Sequence, residues 1–258
     1  MLKKLISYPL TIDLDIDDPQ TTIKRRAIIK NKSFLTKIYK EWYEWIVQEL
    51  PQGDGHILEL GSGAGFLDEY IPGLITSEVF FCPIVKIVLD GCKMPFADRS
   101  LKAIVLIDVF HHLPDSRAFL YEAQRCLQAG GRLIMIEPWV TPWSRIIYKY
   151  LHHEPFDPHE TEWCFPPTGP LSGANSALPW IVFERDRYIF EKEFCWLSKN
   201  HITIEMPFRY LLSGGISLRS LMPGFSFGLW KRLESFLNPW NEKMGMFAKI
   251  VLSKADQR

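Results

Sequence analysis

Residues 57–66 read Ile-Leu-Glu-Leu-Gly-Ser-Gly-Ala-Gly-Phe, an apolar run that leads directly into three alternating glycines. Glycine lets the backbone turn sharply and lets a ligand approach without a Cβ in the way. A dinucleotide-binding loop has the spacing G-x-G-x-x-G, and here Phe66 occupies the position of its last glycine. Glu59 also disfavours a pyrophosphate, because its carboxylate would repel one, and it suits a cationic or amine-bearing ligand better. We therefore expect a ligand-binding loop after a strand, formed by Gly61, Ser62, Gly63 and Gly65.

Strand and helix patterns alternate on either side of this loop. Short apolar runs predict strands at 56–60, 74–78, 84–89, 103–107 and 132–136, and later at 201–206 and 247–253. Helical spacing predicts helices within 21–50, at 116–127 and around 180–194, whereas the proline-rich stretch 163–183 reads as a loop. Uncharged strands that alternate with helices indicate a parallel sheet covered on both faces.

Two further acidic residues follow predicted strands, at the edge where open parallel sheets bind their ligands. Glu78 closes the second strand, and its carboxylate could accept hydrogen bonds from both hydroxyls of a ribose. Asp90 closes the third strand and could accept one from an adenine amino group. Together with Glu59 and the glycine loop, these residues predict a nucleotide-like ligand.

Four motifs in this order resemble the class I S-adenosylmethionine-dependent methyltransferases, and within them the small-molecule "type 11" group. They lie at 59–65 (Glu-Leu-Gly-Ser-Gly-Ala-Gly), 90–96 (Asp-Gly-Cys-Lys-Met-Pro-Phe), 108–115 (Asp-Val-Phe-His-His-Leu-Pro-Asp) and 125–138 (Arg-Cys-Leu-Gln-Ala-Gly-Gly-Arg-Leu-Ile-Met-Ile-Glu-Pro). The resemblance covers about a third of the chain. The predicted strands at 201–206 and 247–253 also fit the final antiparallel pair of that fold.

The resemblance implies S-adenosylmethionine as cofactor, and it assigns roles to residues near the strand ends. The implied cofactor-binding residues are Glu59, Gly61, Ser62, Gly63 and Gly65 at the methionine portion, Glu78 at the ribose, Asp90, Gly91 and Cys92 at the adenine, and Asp108 and Val109 near the sulfonium. The interval of 12 residues from Glu78 to Asp90 is shorter than in the family pattern. It predicts that the intervening helix shrinks to about 82–86, and that the adenine side is open or Glu78 is displaced.

The residues after the fourth strand are candidates for catalysis. His111 and His112 begin this segment, and a neutral imidazole is a natural base for a hydroxyl acceptor near pH 7. In the resembling family the second of these positions is a common structural residue, so packing is the alternative for His112. We predict His111 and His112 as catalytic residues.

A second polar segment packs five potential metal ligands into eight residues, namely His152, His153, Glu154, Asp157 and His159. Its two prolines exclude the helical H-E-x-x-H arrangement, and no second ligand cluster is apparent in the sequence. Methyl transfer from a sulfonium also needs no metal. We therefore predict no metal site here, and we interpret the segment as a polar loop that faces either substrate or solvent.

Aromatic residues are concentrated after residue 138, where seven of the nine tryptophans lie. This density predicts either an aromatic core or a lid shaped for an apolar acceptor. The predicted acceptor-facing residues are Trp139, Trp143, His153 and Asn175. The stretch 210–240 could be core, a dimer contact, or an amphipathic patch that touches lipid.

Composition excludes several other classes of protein. The 258 residues are 47% hydrophobic and 23% charged, which is ordinary for a globular protein and excludes disorder. The formal net charge is zero, a poor basis for binding nucleic acid, although residues 21–40 hold seven basic residues and no acidic one. That run predicts a solvated helix face, an anion contact or a weak peripheral membrane contact. Five scattered cysteines predict reduced thiols in a cytoplasmic protein, and no transmembrane segment is expected.

The sequence thus predicts an α/β fold with a Rossmann-like, doubly wound and mostly parallel seven-stranded sheet. Its last strand is antiparallel, an N-terminal helix precedes the sheet, and an aromatic-rich cap lies in the C-terminal half. We expect a lead-in and helix at 1–50, a cofactor-binding half at 51–139, and remaining strands with cap insertions at 140–258. The predicted activity is methyl transfer to a small-molecule or lipid-linked acceptor. The alternatives are a protein of this fold that acts through partner contacts, and a nicotinamide-dependent oxidoreductase.

Overall fold

The computed structural model describes residues 8, 18–152, 154–166, 169 and 173–255. Within these residues, seven strands form one sheet: β1 His56–Leu60, β2 Ile75–Glu78, β3 Ile87–Val88, β4 Leu101–Ile107, β5 Leu127–Pro138, β6 Leu197–Glu205 and β7 Phe247–Lys254. Their spatial order is β3-β2-β1-β4-β5-β7-β6. Only β7 runs antiparallel to its neighbours, and the other six strands share one direction. The predicted α/β Rossmann-like architecture with an antiparallel last strand is confirmed.

Helices cover both faces of this sheet. They are α1 Pro19–Asn31, α2 Ser33–Glu49, α3 Ser116–Cys126, α4 Pro142–Tyr150, α5 Leu178–Trp180, α6 Arg187–Glu193, α7 Arg209–Ser213, α8 Phe227–Phe236 and α9 Asn241–Met244. A π-helical turn, Ile181–Arg185, joins α5 to α6. In the described part of the chain, no helix is both long and apolar enough to cross a bilayer.

The N-terminal region contains two helices where the sequence predicts one. Asp18 caps α1 by accepting a hydrogen bond from Gln20 N, and α1 ends before Lys32, whose ψ of 87° is not helical. The ammonium group of Lys32 donates to the carbonyl oxygens of Leu218, at 2.7 Å, and Gly215. These distant carbonyls hold the Lys32 side chain inside the protein. The helix is therefore interrupted at Lys32 by contacts with a distant part of the chain.

Each face of the sheet has its own hydrophobic core. On one face, α2 buries the side chains of Phe34, Leu35, Ile38, Trp42, Tyr43 and Ile46 against β1, β4 and β5. On the other face, α3 packs with an aromatic group from the C-terminal half, Trp163, Phe183, Phe190 and Phe194. The aromatic residues after residue 138 therefore contribute part of the core on this face of the sheet.

Two regions differ from the prediction. The strand expected at 84–89 is only Ile87–Val88, and the expected short helix at 82–86 is a series of turns. The stretch 163–183, expected to be a loop, becomes helical at Leu178, while residues 167, 168 and 170–172 lie outside the described residues. The apolar side chains of Leu178, Ile181, Val182 and Phe183 are buried, and this burial favours a helix despite the prolines before it.

The sheet positions the site at one edge. β1 and β4 are parallel neighbours in its centre, and the chain continues to β2 on one side and β5 on the other. This reversal of strand order opens a crevice at the carboxyl ends of the strands. Strands β6 and β7, from the predicted 140–258 region, extend the same sheet through β5. The division at residues 50 and 139 stays a prediction.

Candidate active site

The glycine loop after β1 is tightly folded. Gly61 and Gly63 have φ angles of +61° and +48°, in the left-handed region that favours glycine. A Cβ on Gly61 would lie 2.8 Å from Val109 Cγ2, and one on Gly65 would lie 2.9 Å from Ser62 O. The Ser62 N–H donates to Ser77 O at 2.8 Å, which ties the loop to the end of β2. Larger residues therefore do not fit in this loop.

Carboxylates from neighbouring strands surround the loop. Glu59 and Glu78 are each only 3% exposed. Burial raises the pKa of Glu59 to about 8, despite a hydrogen bond from Ser62, and burial also raises the pKa of Glu78. Asp90 Oδ1 accepts a hydrogen bond from Cys92 N at 2.8 Å. The structure thus places Glu59, Glu78 and Asp90 beside the loop. The short interval of 12 residues from Glu78 to Asp90 does not move either carboxylate away from it.

These residues line a cavity of about 1150 Å³. The cavity wall includes most of the predicted cofactor-binding residues: Glu59, Gly61, Ser62, Gly63, Gly65, Glu78, Asp90, Gly91, Asp108 and Val109. Cys92 is not part of the lining, because its thiol faces away and donates to Asp115 O at 3.4 Å. The short turn between Glu78 and Asp90 leaves both carboxylates at the cavity wall.

A buried polar cluster lies deeper, beyond β4. Asp108 has a φ of +60°, and the turn after it places His111 against Glu137 at the end of β5, with Nδ1 2.8 Å from Oε2. The other carboxylate oxygen of Glu137 accepts the N–H groups of Val109, at 2.9 Å, and Phe110, at 2.7 Å. Glu137 therefore fixes both the backbone turn and the orientation of the His111 ring.

Glu154 completes this cluster from the loop after α4. Its carboxylate lies 3.3 Å from His111 Nε2 and 3.7 Å from His112 Nε2. His112 Nδ1 lies 3.0 Å from Gly173 O. Glu154 and His112 line the cavity, whereas His111 is fully buried behind them. Two segments that are separate in the sequence, 111–112 and 152–159, are thus joined in one cluster.

Burial and charge shift the pKa values of this cluster in opposite directions. Burial alone would lower the pKa of His111, but the hydrogen bond to Glu137 and the Glu154 carboxylate raise it well above its usual value. Burial and the neighbouring His111 lower the pKa of His112 to about 4. Burial opposes ionisation of Glu154, yet the adjacent imidazoles hold its pKa below the usual range. Burial raises the pKa of Asp108 to about 7.

Three of the four residues predicted to face the acceptor, Trp139, Trp143 and Asn175, do not line this cavity. Trp139 is buried in the core, and the Trp143 indole donates to Pro207 O at 2.9 Å. The Asn175 amide pairs with the backbone of Asp157 and does not line the cavity. His153 lies outside the described residues. Aromatic density indicated packing around the site, but it could not indicate which ring faces the cavity.

Other lining residues come from elements that the sequence did not connect to the site. They are Thr22, Arg25, Tyr39 and Tyr43 from α1 and α2, Tyr148 from α4, Tyr210 from α7, and the loop at 214–219. Arg25 belongs to the basic run at 21–40, whose other members include Arg26 and Lys30, paired with Asp68 and Glu69. The absence of acidic residues in that run was the signal available in the sequence. It indicated that these basic side chains find their counter-charges elsewhere in the chain, and Asp68 and Glu69 follow β1.

Comparison with known proteins agrees with this geometry. Residues 58–135 match the family model described as a methyltransferase domain, and this segment contains the glycine loop, β2 to β4 and most of β5. The match covers 78 of the 258 residues, so this part of the chain is similar to a methyltransferase domain. The predicted family resemblance is thereby confirmed, and the acceptor of this methyltransferase domain is a separate question.

Sequence relatives and solved structures extend the similarity of the methyltransferase domain. A demethylmenaquinone methyltransferase of Tropheryma whipplei is 25% identical over 116 residues, which cover 37% of this chain and 48% of that protein. The chain thus spans about half the length of the curated relative. A methyltransferase of Thermotoga maritima, described as a possible histamine N-methyltransferase, has a TM-score of 0.53 at 15% identity, covering 91% and 99% of the two chains. A geranyl diphosphate methyltransferase solved with S-adenosylmethionine has a TM-score of 0.52 at 14% identity, covering 93% of each. The structural similarities establish the fold.

Proposed function

We propose that this protein transfers a methyl group from S-adenosylmethionine to a small-molecule or lipid-linked acceptor. The observation that carries the proposal is the shared cavity, because the glycine loop and the carboxylates of Glu59, Glu78 and Asp90 line the same space. At about 1150 Å³, that space exceeds the usual range for one small ligand, which is about 300–1,000 Å³. It has room for an acceptor beside a cofactor.

The loop and its carboxylates fit S-adenosylmethionine. Gly61 and Gly63 adopt left-handed conformations that leave backbone open to the cavity, and a Cβ on Gly63 would lie 3.3 Å from Glu78 Oε1. We place the amino group of the cofactor near Glu59, its ribose near Glu78 and its adenine near Asp90. Ionised carboxylates favour a ligand that carries an ammonium and a sulfonium, and they disfavour a pyrophosphate.

The protein contributes position and shelter to the reaction. When bound, S-adenosylmethionine supplies an electrophilic methyl group on its sulfonium. Asp108 and Val109 lie at the end of β4, between the glycine loop and the polar cluster, and we assign them to the sulfonium end of the cofactor site. In this proposal the surrounding wall shields the reaction from water and holds the nucleophile in line with the methyl group, and both effects lower the barrier.

The rest of the cavity indicates an apolar acceptor. Ile147, Tyr148, Tyr210, Leu211 and Phe247 line it beyond the proposed cofactor end. His112 and Glu154 bring polar atoms to the same wall, where we propose that they hold the hydroxyl or other nucleophile of the acceptor, with His111 positioned behind them. The demethylmenaquinone methyltransferases among the relatives are named for a small-molecule acceptor, which supports an acceptor of that class for this chain.

An exposed apolar patch supports a lipid-linked acceptor. Phe225, Leu229, Leu233, Phe236 and Trp240 recur at helical spacing along α8 and its flanks, and all five are exposed. Arg232 and Lys243 are exposed in the same segment of the chain, while Lys231 pairs with Glu41 at 2.7 Å. Leu221, which lines the cavity, lies a few residues before the patch in sequence and is itself exposed. We propose that the α8 patch contacts an anionic membrane surface from which the acceptor enters.

The proposal is tested by methyl transfer to prenylated and unprenylated hydroquinones and phenols. We expect acceptor-dependent formation of S-adenosylhomocysteine with at least one apolar acceptor, and none with Gly63→Val. A protein that binds S-adenosylhomocysteine but transfers methyl to no acceptor would instead support the alternative, a methyltransferase fold that acts through partner contacts.

A further inference from the structure

Three side chains at the cavity wall have the composition of a metal site. His111 and His112 come from the turn after β4, and Glu154 comes from the loop after α4. One potential ligand atom from each lies within 4.8 Å of the other two. Two imidazole nitrogens with one carboxylate oxygen are a donor set that suits zinc and other divalent transition metals, whereas magnesium prefers oxygen ligands alone.

Both imidazoles present the nitrogen that a metal needs. His111 Nδ1 lies 2.8 Å from Glu137 Oε2, and His112 Nδ1 lies 3.0 Å from Gly173 O. A carbonyl oxygen only accepts hydrogen bonds, and Glu137 already accepts two backbone N–H groups, so each Nδ1 carries the proton. In a neutral ring the lone pair is then on Nε2. Carboxylate or carbonyl groups orient metal-binding histidines in this way.

The two Nε2 atoms converge on Glu154. They lie 3.3 Å and 3.7 Å from its carboxylate oxygens, close to the separation of about 3.4 Å between ligands that each lie about 2.1 Å from one tetrahedral metal. His111 Nε2 is fully buried, and its geometry toward the Glu154 carboxylate, 3.3 Å away, is not that of a hydrogen bond. A cation between these three groups would give this buried nitrogen a well-directed partner.

We propose that His111 Nε2, His112 Nε2 and Glu154 bind one divalent transition-metal ion of the zinc class. His112 and Glu154 line the cavity, so the remaining coordination positions face the proposed acceptor. The ion would bind an acceptor oxygen there and favour its deprotonated, nucleophilic form. This role rests on the proposed function, but binding of the metal does not, and it is measured without cofactor or acceptor.

The test is titration of the chelator-treated protein with Co²⁺, followed by visible absorption, and with Zn²⁺, followed by calorimetry. We expect one equivalent per chain and d–d bands that differ from those of hexaaqua Co²⁺, since imidazole nitrogens would replace water ligands. Glu154→Gln and His112→Gln should each weaken binding at least 10-fold. Glu154→Asp should retain part of it, and His201→Gln, a surface histidine paired with Glu49, should bind like wild type.

Three results would overturn the inference. Wild-type protein could take up no stoichiometric Co²⁺ or Zn²⁺, which would identify the cluster as a protonated His111 held between two carboxylates. Glu154→Gln and His112→Gln could bind as tightly as wild type, which would place the metal elsewhere. A Co²⁺ spectrum of the wild-type protein that is identical to that of hexaaqua Co²⁺ would exclude the site, and this result does not depend on whether a variant folds. Any of these leaves methyl transfer itself intact, because transfer is assayed separately.

Discussion

His111 Nδ1 and Glu137 Oε2 lie 2.8 Å apart, and both side chains are completely buried. The same carboxylate accepts the N–H groups of Val109 and Phe110, so one residue of β5 holds the turn that follows β4. In the proposed function, the cofactor end and the acceptor end of the cavity meet at this turn.

Replacing Glu137 should destabilise the fold strongly. Glu137→Ala leaves two buried N–H groups and an imidazole without an acceptor, and removing one partner of a buried pair costs about 3–5 kcal/mol. Glu191→Ala breaks an exposed pair with Arg187 and should hardly change the free energy of unfolding. Urea denaturation of both variants measures this difference. Equal stability of the two variants would refute the assigned role.

Gly63 should be required for cofactor binding rather than for folding. Gly63→Val forces a branched side chain to a φ of +48° and against Glu78, so S-adenosylhomocysteine binding should fall below detection. Gly73→Val is the control, because Gly73 has a φ of +80°, lies outside the cavity lining, and would have no atom within 4 Å of an added Cβ. Calorimetry and circular dichroism should show both variants folded and only Gly73→Val binding. Normal binding by Gly63→Val would mean that the cofactor lies elsewhere.

Cofactor binding should release a proton from Glu59. Burial raises the pKa of this carboxyl to about 8, so it is mostly protonated at pH 7, and a bound ammonium group favours its ionised form. Affinity for S-adenosylhomocysteine should therefore increase from pH 6.5 to 8. Titration at pH 7 in phosphate and in Tris should give enthalpies that differ by the difference between the ionisation enthalpies of the two buffers, for about one proton released. Identical enthalpies in the two buffers would contradict the prediction.

The same raised pKa affects the stability of the protein without ligand. Because Glu59 has a higher pKa in the folded protein than in the unfolded chain, folding favours its protonated form. Its contribution to stability is therefore present below about pH 4.5 and is lost as the pH rises through 8. Glu59→Gln should remove this part of the pH dependence of unfolding between pH 5 and 8. An unchanged profile would show that the folded pKa is not raised.

The α8 patch should bind anionic lipid. Wild-type protein should sediment with vesicles that contain phosphatidylserine, less so at high salt, and weakly with phosphatidylcholine alone. Replacing both Phe225 and Leu229 by serine removes two exposed apolar side chains and should abolish sedimentation. Tyr188→Ser, which removes an exposed ring on α6, should have no effect. Sedimentation that is equal for all three proteins would exclude the patch.

The sequence predicted the parts of the fold that local patterns encode. The strands around the glycine loop follow from hydrophobic periodicity, and the carboxylates of Glu59, Glu78 and Asp90 follow from short motifs. The antiparallel direction of the last strand followed from the family resemblance. The break at Lys32 did not, because two carbonyl groups about 185 residues away cause it. Long-range contacts of this kind leave no local signal.

The polar cluster illustrates the same limit within the site. The sequence marked both 111–112 and 152–159 as candidates, but it treated the second segment as lacking a partner cluster. The structure supplies that partner, because Glu154 packs against His111 and His112 across about 42 residues of chain. Trp139 and Trp143 show the opposite case. The density of aromatic residues suggested a lid, but Trp139 is buried in the core and the Trp143 indole donates a hydrogen bond to Pro207 O.

The central claim is that this cavity binds S-adenosylmethionine, and calorimetric titration of the purified wild-type protein with S-adenosylhomocysteine tests it most directly. We predict one binding site per chain with a micromolar dissociation constant. No detectable heat at millimolar ligand, from protein that circular dichroism shows to be folded, would contradict the account and leave a methyltransferase fold without its cofactor.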